Sequence, residues 1–196
     1  MKKIINILIL VVVIVIAVWY FTTRTDTPKT QQVSTVQYAT FSDGDLGLEF
    51  KYPAGPDGYV LSRGPSLSIS SAHIQTLILF QEEDVGKMPE GGEGPPGILI
   101  QVFENTKKQT AEVWANENMV HSNINLKMGE VGKTKVGDIE AISYMSDGLY
   151  ASENVVIAHD GKVYIVTGQF LDRESDLRRD FAPLVASIRF VSKANQ

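Results

Sequence analysis

Eighteen consecutive residues, "IINILILVVVIVIAVWYF" from Ile4 to Phe21, carry no charge and a single polar side chain, Asn6. As a helix such a run rises about 27 Å, close to the roughly 30 Å hydrocarbon thickness of a bilayer. The run is therefore predicted to be a transmembrane helix, so a globular core has to be built from later residues. Lys2 and Lys3 precede it, while Arg24, Asp26 and Lys29 are the nearest charges after it, so the balance of Lys and Arg predicts an inside N-terminus. A cleaved signal peptide shares the basic start and apolar stretch. The length of this run, its Trp19-Tyr20-Phe21 end and the lack of an Ala-x-Ala pattern favour an anchor, since aromatic rings suit the membrane interface. The expected localisation is a single-pass cell-membrane protein with a cytoplasmic N-terminus and an extracytoplasmic C-terminal domain, in contact with the cytoplasmic membrane through residues 4–21.

Residues 22–36, "TTRTDTPKTQQVSTV", are rich in Thr and Gln with few large apolar groups, so little surface is available to offset the cost of ordering them. They are predicted to be a flexible tether, with the extracytoplasmic domain in 37–196. That domain carries 14 Lys and Arg against 22 Asp and Glu, a net charge of −8. Such a balance opposes contact with a phosphate backbone, and no nucleic-acid partner is expected. The chain has no cysteine, which removes disulfides, thiol nucleophiles, Cys-based metal sites and a lipid-modified Cys anchor.

Within 37–196 the pattern is largely that of strands. "LGLEFKYP" puts Leu46, Leu48, Phe50 and Tyr52 on one side and Glu49 and Lys51 on the other, and Pro53 with "AGPDGY" is expected to end the strand in a turn. Further strands are predicted in "ILIQVFE" (98–104), "GDIEAISYM" (137–145), "ASENVVIAHDGKVYIVTGQF" (151–170) and "SIRFV" near the end. In the longest, "HDGK" supplies the Asp-Gly pair of a tight hairpin. Two helices are predicted. One spans Gln109–Asn118 with Trp114 in the core. The other carries Leu177, Phe181, Leu184, Val185 and Ile188 at helical spacing, with Asp172 or Ser175 available as a cap and Pro183 as an irregularity. The fold class expected is α+β, a predominantly antiparallel β-sheet packed against helices and preceded by the one transmembrane helix.

Three stretches raise the question of chemistry. "GEVGKTKVG" (129–137) contains a Gly-Lys-Thr triplet, but Lys127 stands where a phosphate-binding loop needs glycine, and a strand pattern comes next instead of a helix. A hairpin or exposed loop is the expectation. In "SDGDLGLE", Asp43, Asp45 and Glu49 miss the calcium-loop spacing, so a surface turn is expected. His73, His121 and His159 fit no metal-ligand motif, and no G-x-S-x-G elbow presents a serine. No catalytic residue, metal site or cofactor is assigned. Residues 81–97, "QEEDVGKMPEGGEGPPG", read as a long surface loop. Its carboxylates Glu82, Glu83, Asp84, Glu90 and Glu93 are the candidate partner surface, with a divalent-cation site as the lesser alternative.

"YATFSDGDLGLEFKYPAG", with its G-x-x-F-x-Y-P segment, resembles the start of PsbP-like domains. "HDGKVYIVTGQF" and the helix leading into "FAPLVASIRF" are similar to that family's late hairpin and final helix-strand unit. The resemblance covers about Tyr38 to Val191 and, taken with the predicted anchor, implies a membrane-anchored bacterial form of the domain. It implies a single α/β sandwich. In photosynthetic members the domain is an extrinsic assembly or stabilising subunit of a membrane complex, while many bacterial anchored relatives have no established role. The aromatic often found just after the Tyr-Pro turn is displaced here to Tyr59, and the 81–97 loop is an elaboration, so neither a photosystem role nor ligand positions are carried over. The function expected is an extracytoplasmic binding or assembly-stabilising module for a membrane or envelope protein. An envelope hydrolase stays open if histidines and a carboxylate converge, as does a small-ligand sensor or carrier if a pocket forms between helix and sheet.

Overall fold

The computed structural model describes residues 36–64, 72–85, 94–172 and 174–192. The predicted anchor, the tether up to residue 35, and Glu90 and Glu93 lie outside them. Among the described residues no helix is long and apolar enough to cross a membrane.

Within the described residues, ten antiparallel strands form two sheets. The smaller has the order β1-β2-β10, from β1 (Gln37–Asp43), β2 (Leu48–Ala54) and β10 (Arg189–Phe190). The larger comprises β3 (Tyr59–Gly64), β4 (His73–Gln81), β5 (Ile98–Glu104), β6 (Lys127–Val136), β7 (Ile139–Asp147), β8 (Ala151–His159) and β9 (Lys162–Phe170). Its order is β3-β4-β5-β9-β8-β7-β6, which leaves β3 and β6 at the edges. Helices α1 (Ala111–Glu117) and α2 (Met119–Ser122) come after β5, and α3 (Asp176–Ser187) after β9.

Strand alternation gives the large sheet two buried faces. Ile98, Ile100 and Val102 of β5 and Tyr164 and Val166 of β9 face a core closed by β2 and α3, with Leu48, Phe50, Leu177, Phe181 and Leu184. Phe103, Val163 and Ile165, of opposite parity, face a second core closed by α1 through Ala111, Trp114 and Ala115. The expected α+β class holds, with a second small sheet added: β10 returns the end of the chain to β2 and pairs Phe190 with Leu48. The long hairpin forms as its sequence predicts, with Asp160 and Gly161 both at positive φ between His159 and Lys162.

Pro53 stands within β2, one residue before its end at Ala54, and the predicted turn follows, the Gly58 amide donating to the Gly55 carbonyl. Strand β10 reaches only Leu48 and Glu49, and further along that edge Ser187 Oγ meets the backbone of Lys51, accepting from its N–H at 2.9 Å and donating to its carbonyl at 3.2 Å. Two residues on, Pro53 turns its missing N–H to the same unpaired edge, where no ladder bond is lost. For α3 the expected cap holds in position only. Ser175 holds the cap position by its backbone but makes no side-chain cap, and Asp172 Oδ1 accepts instead from the Glu174 amide at 2.9 Å. The predicted Gln109–Asn118 helix is shorter, Ala111–Glu117, because Asn105 ties the residues before it into a turn.

Candidate binding cleft

The turn after β5 is built on a buried asparagine. Asn105 donates from Nδ2 to the Gln109 carbonyl at 2.9 Å and accepts at Oδ1 from the Gln109 amide at 3.0 Å. Its own amide reaches the Gly161 carbonyl of the β8–β9 hairpin. This closure puts Lys108 in a left-handed conformation, φ 50°. Thr110 then caps α1, its Oγ1 accepting from the Val113 amide at 3.3 Å. Trp114 packs on Phe103 with ring centroids 5.0 Å apart and seats the helix on the sheet, as the sequence predicts.

Between this turn and the β6–β7 hairpin a cleft of about 680 Å3 opens, within the usual range of ligand sites. The register Lys133↔Ile142 and Lys135↔Glu140 puts both lysines on the face of the sheet that carries α1. They line the cleft together with Lys108 and Glu112 from the turn and α1, and with Ile142 and Ala158. Among the described residues none of these three lysines is in an ion pair. Three cations and two carboxylates, Glu112 and Glu140, thus share one concavity, a local excess of positive charge in a domain of net charge −8. The segment 129–137 belongs to the extended β6 and the turn after it, so the Gly-Lys-Thr lysine is a strand residue and not part of a loop.

The residues singled out in the sequence are dispersed. Glu82, Glu83 and Asp84 form a 3-10 turn at the end of β4. By strand register this is the opposite end and opposite half of the large sheet from the cleft. Among the described residues no group of three His, Asp or Glu is placed to hold a metal ion. His73 and His121 do come together, on the ring of Phe103 at 5.3 and 5.0 Å. His73 Nε2 is 2.9 Å from Thr76 Oγ1, and burial lowers the pKa of both imidazoles below the ordinary value. His159 packs on Phe190 at 4.5 Å. Asp43 closes the β1–β2 turn, accepting from the amides of Asp45 and Leu46, and pairs with Arg63 at 2.5 Å. Burial raises its pKa, but the Arg63 hydrogen bond and the two amides outweigh that and hold it below the usual value. A second hollow of about 270 Å3 lies near Asn123, Leu126, Leu149 and Tyr150. Ser146 borders it, and Asn154 donates to Ser146 Oγ at 2.8 Å and accepts from Thr167 at 3.0 Å, a buried polar ladder complete in itself.

No protein-family model and no curated protein matches the chain. A solved structure does: the solution structure of cyanobacterial PsbP (CyanoP) from Synechocystis sp. PCC 6803, at a TM-score of 0.52 and 14% identity, covering 81% of this chain and 95% of that one. The fold is PsbP-like. At this identity the likeness is one of fold, in agreement with the motifs around Gly47–Gly55 and the final helix-strand unit. In the sequence Lys133 stands out only through the Gly-Lys-Thr triplet; only the two-residue spacing in "GKTKVG" links it to Lys135, and nothing links it to Lys108.

Proposed function

We propose that this protein is a membrane-anchored, extracytoplasmic binding module that stabilises or assembles a membrane-associated complex, and that the cleft between α1 and the β6–β7 hairpin is its contact surface. The observation that carries the reading is the concentration of Lys108, Lys133 and Lys135 around one cleft in an otherwise acidic domain. Such a local field orients an acidic partner and raises its encounter rate. The acidic turn Glu82–Asp84, with Glu90 and Glu93, is a second contact surface of opposite sign on the same module.

A photo-crosslinking amino acid placed at Glu140, which lines the cleft on the lysine face, and at Arg179 on the outer side of α3 tests this in the native membrane. A discrete crosslinked species from position 140 and none from position 179 is expected. Equal labelling at the two positions, or none at either, would count against the cleft as the contact surface.

A further inference from the structure

We propose that the open edge of β6 takes up an extended acidic segment of a partner protein as an additional strand, with alternate carboxylates of that segment held by Lys133 and Lys135. This rests on the cleft being the module's binding surface and names what the cleft recognises. Strand β6 is last in the sheet order, with β7 its only strand neighbour among the described residues. On an antiparallel edge strand, alternate residues turn both N–H and C=O away from the sheet, which is the template used when a peptide adds to a sheet. The register of β6 shifts between Met128 and Gly132 and is regular from there to Val136. Residues 132–136 are therefore the straight part of the edge.

Spacing sets the chemistry of the occupant. Lys133 and Lys135 are two residues apart and share the face that borders the cleft. An added strand has the same two-residue period, so side chains at its alternate positions lie beside these two ammonium groups. Glutamate or aspartate at those positions makes cross-strand pairs of opposite charge, and apolar residues between them meet the other face of the hairpin. Glu112 and Glu140 line the same cleft and disfavour a dense anion, whereas carboxylates spaced along a strand meet the lysines one at a time. Lysines on an edge strand are also a common guard against edge-to-edge pairing of copies. That role needs no partner and requires no acidic spacing, so experiment separates the two.

The probe is a fluorescein-labelled nine-residue peptide alternating glutamate and valine, titrated with the full chain in detergent micelles and followed by anisotropy. Saturable binding is expected, weakened at least tenfold by Lys133→Glu with Lys135→Glu and retained with Lys133→Arg and Lys135→Arg. Methylating alternate peptide amides is expected to weaken it to a similar degree, because backbone pairing is lost while charge is kept. Undiminished binding of the methylated peptide would overturn strand addition in favour of diffuse charge attraction. Failure of the peptide to bind at all, together with self-association of the Lys133→Val, Lys135→Val chain, would leave the lysines as edge guards and overturn the proposal. If crosslinking from position 140 persists while the peptide fails, the module reading stands and the acidic strand alone falls.

Discussion

His73 and His121 illustrate how single residues acquire properties in the folded chain that their sequence positions do not show. They are 48 residues apart, and each packs its ring against Phe103. Burial disfavours the imidazolium form at both, so the folded chain takes up these protons at lower pH than the unfolded chain does. The unfolded state therefore binds more protons below its own histidine pKa of about 6.5, and stability falls as pH drops through that value toward the lowered folded values. Thermal unfolding is expected to show a lower Tm at pH 5 than at pH 7, with the difference reduced in a His73→Gln, His121→Gln variant. An unchanged difference would assign the acid sensitivity to other groups. Gly47 is a second case. Its φ of +70° and the 3.2 Å that would separate a Cβ from the Tyr164 hydroxyl fit glycine alone. That hydroxyl donates to the Leu46 carbonyl at 2.9 Å. The start of "GLEFKYPAG" is thus a packing point between the two sheets, and its alternation showed the strand but not the tyrosine that meets it.

The elements were legible in proportion to how local their causes are. The β8–β9 hairpin arises from two adjacent residues that tolerate positive φ, and α3 buries the predicted Leu177, Phe181 and Leu184 because helical spacing is a short-range property. Their docking is long-range. Helix α3 approaches β9 at Gly168, where an added Cβ would lie 2.5 Å from the Phe181 ring. Gly168→Ala is expected to cost about 1–3 kcal/mol as overpacking forces the helix outward. Gly148→Ala, with nothing nearer than the Tyr150 carbonyl at 4.0 Å, is expected to change stability by under about 0.5 kcal/mol. Urea unfolding of both variants by circular dichroism checks this, and equal effects would mean that close approach at Gly168 does not limit docking. Strand β6 was harder to read because glycines and lysines mask its alternation, and only its pairing with β7 reveals it.

At the scale of the whole molecule, the proposed anchor predicts a physical behaviour: 18 uncharged residues buried in hydrocarbon hold a chain more firmly than surface charge does. The full chain is expected to sediment with membranes, resist alkaline carbonate and yield only to detergent, with its C-terminal region open to protease from the extracytoplasmic side. Release by carbonate would argue for a peripheral protein and against the anchor. By itself the sequence determined the abundance of antiparallel strands, the two helical segments, the tight turns and the acidic balance, because propensity, side-chain period and charge are read residue by residue. Tertiary structure decided which face of each strand is buried, the return of β10 to β2 across nearly the whole domain, and the placing of Lys108, Lys133 and Lys135 around one cleft. Those depend on pairing and packing between residues far apart in the chain, a choice made by the burial of the two cores together and by no local pattern.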